Sequence, residues 1–267
     1  MASLYISSEE YADFKEKIVE TWELDPEYRL LDVEYIGYKW TGVFANNHID
    51  PVNIFEEAPD SKTMVEQIEE RWDEGYTLID IEHISDRYIS VFDNSSTLGG
   101  SSITASEDLT GFAGDVSGKL DKGYDLANVE YVDGIWISIF DNRLGRSTYS
   151  TAGHRNDFEE AIQDRWDEGL DLVGVEYAEG TWMGVFREQS HHSSDYSITT
   201  SRQEFDAELE EFTELGYDLV DFERAGNKWV GVYEKPNSPD SEWLEAAEAS
   251  LLFPVDAYAT HSASLLL

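Results

Sequence analysis

The stretch STYSTAGHRNDFEEAIQDRWDEGLDLVGVEYAEGTWMGVF, residues 147–186, reads as one complete structural unit. Its opening, STYST (147–151), alternates and is rich in β-formers. Phe158, Ile162 and Trp166 then recur at i, i+4 and i+8 as a single helical stripe, with Asn156 placed to cap it. Gly169 stands where a helix ends in a left-handed residue. LDLVGVEY (170–177) is a second strand, AEG (178–180) a tight turn, and TWMGVF (181–186) the antiparallel partner. The unit is strand, helix, strand, strand.

Working outward, the same unit recurs along the chain. A glutamate followed six residues later by an aromatic appears as Glu34/Trp40, Glu82/Tyr88, Glu130/Trp136, Glu176/Trp182 and Glu223/Trp229. The glutamates are 48, 48, 46 and 47 residues apart, the mark of one supersecondary unit copied five times. Helix ends repeat as RWDEGY (71–76), LDKGY (120–124) and RWDEGL (165–170). The fifth copy keeps Gly216 and Tyr217 but moves its large aromatic to Phe212, and the first has no glycine between Trp22 and Tyr28. First strands are legible at 4–7, 51–54, 101–104, 147–150 and 196–199. The array therefore occupies 1–235, divided at about 1–48, 49–98, 99–145, 146–193 and 194–235, and 236–267 is a tail.

Strand periodicity assigns faces. Val33 and Tyr35, with their counterparts Ile81/His83, Val129/Tyr131, Val175/Tyr177 and Phe222/Arg224, share one side of the second strand. The other side carries a leucine, then Asp32, Asp80, Asn128, Gly174 or Asp221, then the recurring glutamate. Small residues at each third-strand midpoint (Gly42, Ser90, Ser138, Gly184, Gly231) mean that something approaches that face closely. One such unit cannot bury both its helix and its sheet, so neighbours complete the core. The expected fold is an α+β repeat protein of five β-α-β-β units. With no polar capping unit visible at either end, a closed, pseudo-fivefold α/β propeller is favoured over an open arc.

Composition narrows the partners. The 267 residues carry 57 acidic against 18 basic side chains, a formal charge of −39, while 41% hydrophobic and 13% aromatic residues supply a core. Such a charge repels phosphate backbones and anionic lipid, so nucleic acid and membrane surfaces are not expected partners. No apolar run of about 18 residues is present, and MASLYISSEE lacks the basic and apolar regions of a secretory signal. A salt-adapted cytoplasm, or export by an uncleaved C-terminal signal, fits such a chain, and its many isoleucines and large aromatics argue against the first. The absence of cysteine excludes disulfides, thiolate metal sites and a cysteine nucleophile.

Two resemblances follow from these motifs. The Trp-x-x-Gly-Tyr helix ends, followed by a strand and an aromatic-rich hairpin, resemble the bacterial tandem-repeat domain in every copy, best in the second and fourth. That resemblance implies a binding or scaffold role and no catalytic residue. Five strand-helix-strand-strand units in a ring are similar in topology to the pentein α/β propeller, whose hydrolases and transferases act on guanidines, usually through a catalytic cysteine. This chain has none, so the resemblance extends to architecture and an affinity for cations.

The main candidate site is the set Glu34, Glu82, Glu130, Glu176 and Glu223, with Asp32, Asp80 and Asp221 one pleat away, as a metal site. Carboxylates about 6 Å apart repel by ~3 kcal/mol at an effective dielectric of 20, so such a set demands a cation, a basic partner or raised pKa values. Ca2+, which takes six to eight oxygen ligands, suits the donors. The bland alternative is solvated glutamates that recur through duplication alone. Trp40, Tyr88, Trp136, Trp182 and Trp229 are the second candidate, as a sugar-stacking or cation-π surface, against the plainer role of core filler.

The tail offers a helix over 242–252 with Trp243, Ala247 and Leu251 on one side, then SASLLL (262–267), which docks on the array, on a second subunit in a homo-oligomer, or serves export. The expected function is a non-catalytic binding or scaffold protein for a cation, a carbohydrate or a basic protein partner. The alternatives are a carboxylate-dependent hydrolase and a self-assembling structural protein.

Overall fold

The computed structural model describes residues 3–46, 53–84, 86–94, 101–142, 145–188 and 192–236. The expected tail helix and the first-strand residues Pro51 and Val52 lie outside the described residues.

Five units of the expected order are present. The first comprises β1 (Ser3–Ser8), α1 (Tyr11–Leu24), β2 (Tyr28–Ile36) and β3 (Lys39–Asn46). The second comprises β4 (Asn53–Ala58), α2 (Ser61–Asp73), β5 (Thr77–Ile84) and β6 (Arg87–Asp93). The third has β7 (Ser101–Ser106), α3 (Leu109–Leu120), β8 (Asp125–Val132) and β9 (Ile135–Asp141). The fourth has β10 (Ser147–Ala152), α4 (Arg155–Asp167), β11 (Asp171–Ala178) and β12 (Thr181–Arg187). The fifth has β13 (His192–Thr199), α5 (Arg202–Glu214), β14 (Asp218–Glu223) and β15 (Trp229–Pro236). Each unit forms an antiparallel three-stranded sheet with its third strand in the centre, as in β10-β12-β11.

The six-residue glutamate-to-aromatic spacing is a hairpin register. Tyr177 pairs with Trp182 across a turn whose central residues, Glu179 and Gly180, both have positive φ, the primed geometry that a two-residue hairpin needs. The third-strand glycines face the helix. A Cβ on Gly184 would come within 3.0 Å of Phe158 and 2.9 Å of Phe186, and one on Gly42 within 3.3 Å of Phe14.

Two expectations need correction. Asn156 is not the cap of α4. That helix starts at Arg155 behind an extended His154, in the place where Asp60 caps α2 and Ser201 forms a capping box on α5. The second-strand leucines do not share a face with the acids either. Leu30, Leu78, Leu126, Leu172 and Leu219 are fully buried in the apolar cores, because a β-bulge in every second strand, between Leu30 and Asp32 and at the equivalent positions, resets the alternation.

Each core is shared by two units. Phe158, Ile162, Leu172, Val175, Trp182 and Phe186 pack with Ala225, Val230 and Val232 of the fifth unit. Phe205, Leu219, Phe222, Trp229 and Tyr233 of the fifth unit pack in the same way with Ile36 and Val43 of the first. Among the described residues no helix is long and apolar enough to cross a membrane.

Candidate functional site

The second strands are neighbours in turn: β2 lies beside β5, β5 beside β8, β8 beside β11, β11 beside β14, and β14 beside β2. The bulge ahead of the Asp position leaves the amide of the residue after it without a ladder partner. In three of the described units a carboxylate from the next unit accepts that hydrogen bond. Val33 N donates to Asp80 Oδ2 at 2.9 Å and Val175 N to Asp221 Oδ2 at 2.7 Å, and the Phe222 amide donates to Asp32. At Gly174 the accepting side chain is missing, and the Val129 amide is taken instead by Asn128 Oδ1 at 2.9 Å. A Cβ on Gly174 would lie 3.2 Å from that same oxygen. Asp32, Asp80 and Asp221 are thus both acid groups and the stitches between units.

The glutamates point into the same region. Asp32, Asp80, Glu130, Glu176 and Glu223 are buried, and Glu34 and Glu82 are half-buried. Ligand oxygens of Asp80, Glu82 and Glu130 all lie within 4.8 Å of one another. The carboxyl of Glu130 lies against those of Asp80 and Glu176, and that of Glu82 against that of Glu34. The Asn128 amide donates to Glu130 Oε1 at 2.6 Å and to the Ile79 carbonyl at 3.3 Å. Asp32 Oδ2 is buried without a hydrogen-bond partner. No lysine, arginine or histidine side chain is paired with any of the eight acids among the described residues.

The electrostatic consequence is large. Burial, the leading cause throughout, pushes Asp80 and Asp221 up to about 7 and Glu176 up to about 8. The amides of Val33 and Val175 oppose the shifts of Asp80 and Asp221 by favouring their ionised forms. Asp32, Glu34, Glu82, Glu130 and Glu223 are raised well above the ordinary carboxylate range, by burial first and then by the surrounding carboxylates. Two ionised carboxylates 4.8 Å apart would repel by about 3 kcal/mol at an effective dielectric of 20. Full ionisation of the cluster is therefore disfavoured.

The aromatic candidates are placed differently. Trp40, Tyr88, Trp136, Trp182 and Trp229 retain only 2 to 8% of their surface. Trp182 lies between Phe158, stacked at 5.2 Å, and Tyr177 at 5.1 Å, and Trp136 sits in the same way between Phe112 and Tyr131. Their rings fill the cores rather than offer an open stacking surface. Asn128 and Gly174, which stand in the Asp column of the third and fourth copies, shape the site as much as the acids do. The visible signal was their place in the Asp column of the repeat.

No protein-family model matches this chain, and no curated protein matches it.

Proposed function

We propose that this is a non-catalytic repeat protein that binds a hard divalent cation, Ca2+ foremost, in a carboxyl cluster at the centre of a closed pseudo-fivefold propeller. Closure is supported by the pairing of the last unit with the first. β14 lies beside β2, Phe222 donates to Asp32, and the fifth core takes in Ile36 and Val43. Five units with five shared cores leave neither end apolar, the condition an uncapped array must meet.

The observation that carries the cation reading is the convergence of Asp80, Glu82 and Glu130 within 4.8 Å, without a basic partner and beside the unpartnered Asp32 Oδ2. Oxygen-only donors of this kind suit Ca2+ or Mg2+ rather than soft metals. The buried carboxyls would otherwise destabilise the fold they occupy, and an ion that binds only the folded state stabilises it by mass action.

Thermal melting of the chelator-stripped chain at pH 7.5, with and without millimolar Ca2+, Mg2+ or Mn2+, tests this. A rise of several degrees with at least one ion is expected, and it should vanish in the Glu82→Gln/Glu130→Gln variant. Unchanged melting with all three ions would overturn the reading.

A further inference from the structure

None of the eight clustered acids lines the groove between the fourth and fifth units. This groove, of about 410 Å³, is bounded by Arg155, Glu159 and Trp166 of α4, Asp195 and Tyr196 of β13, and Glu208 of α5. Trp166 Nε1 donates to Ser194 Oγ at 3.1 Å, which fixes the indole, and the half-buried Tyr196 ring stands 5.9 Å from it at 45°. Arg155 gives both Nε and Nη2 to one oxygen of Glu159, at 3.1 and 2.8 Å. Three carboxylates against one guanidinium give these walls a formal charge of −2.

Equivalent boundaries elsewhere in the repeat hold a cation on the ring. Arg202 opens α5 as Arg155 opens α4, and Tyr5, like Tyr196, stands six residues ahead of the first residue of its own unit's helix. Between the fifth and first units the Arg202 guanidinium lies 4.5 Å from the Tyr5 centroid while its Nε bonds Asp206 at 2.6 Å. Between the first and second units Tyr11, the first residue of α1, packs against Phe55 and carries Lys15 at 4.8 Å and Arg87 at 4.4 Å. Among the described residues no lysine or arginine stands over Tyr196 or Trp166. The partner of the arginine accounts for the difference. Glu159 is one methylene longer than Asp206 and takes two nitrogens of Arg155 along α4, which leaves the face of Tyr196 to the groove.

We propose that this groove docks a basic peptide, one of whose lysine or arginine side chains lies over Tyr196 and Trp166 with its charge between Asp195 and Glu208. A cation within about 6 Å of an aromatic centroid is attracted by the ring, and the carboxylates add to that attraction. The excess of carboxylates disfavours a phosphate or other anion, and the charge of −39 on the whole chain speeds the encounter with a cationic partner. Recognition is by side chain rather than by strand addition. β13 is the edge of its sheet, but the Tyr196 amide already donates to Asp195 Oδ1 at 2.8 Å and the Ser194 amide to Asp171 Oδ1 at 3.2 Å. An added strand would have to displace both carboxylates, whereas a cation meets them as they stand.

Calorimetric titration of tetralysine into the full chain, in chelator and at about 0.15 M salt to screen the general acidic surface, tests this. Saturable binding is expected. Glu159→Asp, which keeps the net charge but shortens the acid to the length of Asp206, should let Arg155 cover Tyr196 as Arg202 covers Tyr5, and weaken binding about fivefold or more. Tyr196→Leu should weaken it similarly, Glu208→Gln about threefold, and Tyr196→Phe, which retains the ring, should bind as the parent chain does. Thermal melting of each variant establishes that it is folded. Equal affinity of the parent chain, Glu159→Asp and Tyr196→Leu would place tetralysine on the acidic surface at large and overturn the groove as its site. Absence of saturable binding would overturn it as well.

Discussion

The amide of Val33, in the first unit, donates a 2.9 Å hydrogen bond to Asp80 Oδ2 in the second. Asp80 is thereby a structural acceptor as well as an acid, and two substitutions separate the roles. Asparagine preserves an acceptor for the Val33 amide and removes the charge. Alanine leaves a buried amide unpaired, at a cost of about 1–3 kcal/mol. Asp80→Ala should therefore unfold in less urea than Asp80→Asn at pH 7, and equal midpoints would remove Asp80 from its stitching role.

Stability without ions should fall as pH rises. Asp80 and Asp221 move from 3.8 to about 7, and Glu176 from 4.5 to about 8. Between the unfolded and folded values the native state holds more protons than the unfolded chain, so the stability these three groups contribute below about pH 4 is lost progressively as pH rises to about 8, and the five other raised acids act in the same direction. Melting in chelator from pH 5 to pH 9, with added salt to screen the exposed carboxylates, checks this. Glu176→Gln should flatten the profile and gain roughly 2–4 kcal/mol at pH 8. A profile as steep as that of the parent chain would exclude Glu176 as its source.

The third-strand small residues set a packing limit. Gly184 has no room for a Cβ between Phe158 and Phe186, at 3.0 and 2.9 Å, so Gly184→Ala should destabilise by about 1–3 kcal/mol. Gly42→Ala, whose nearest contact would be Leu30 at 3.1 Å, should cost less. Urea midpoints of the two variants give the comparison, and the reverse order would mean that the helix yields more easily in the fourth unit than in the first.

Trp182 reports on the aromatic column. It is 4% exposed and enclosed by Phe158 and Tyr177, so Trp182→Ala should cost about 3–5 kcal/mol, the range for loss of a buried aromatic. Thermal melting measures this, and a loss below about 1 kcal/mol would return the ring to the surface.

How much of this was legible in the sequence depends on which residue is asked. The repeat, the strand order within a unit and the helix stripe through Phe158 and Ile162 follow from spacing, because hydrophobic period and turn chemistry are local. The direction of the glutamates was legible as well, since Glu176 and Val175 must point to opposite sides of one strand. The leucines depart from simple alternation because the bulge adds one residue to the strand. Its trace is the adjacent apolar pair, Leu30-Leu31, Leu78-Ile79, Leu126-Ala127, Leu172-Val173 and Leu219-Val220, which breaks the alternation in every copy. The partners of Asp80, Asp221 and Asp32 were not legible. They are amides of another unit, about 46 residues away for Asp221 and Val175, and spacing within one copy carries no information about them.

Arg29 and Asp93 form an ion pair with side-chain exposures of 15% and 4%, joining the second strand of one unit to the last strand of the next. Burial holds the Arg29 guanidinium down at about 10, and its Nε has no acceptor. Desolvation therefore already weighs against the pair, and its removal from one side only should be severe. Arg29→Ala leaves the Asp93 carboxylate buried without that cation, and should cost about 3–5 kcal/mol. The double variant Arg29→Met/Asp93→Asn removes both charges while keeping bulk, and should recover most of that loss. Urea unfolding of the three chains closes the cycle. If the double variant is no more stable than Arg29→Ala, the pair acts through packing of the arginine stem rather than through charge.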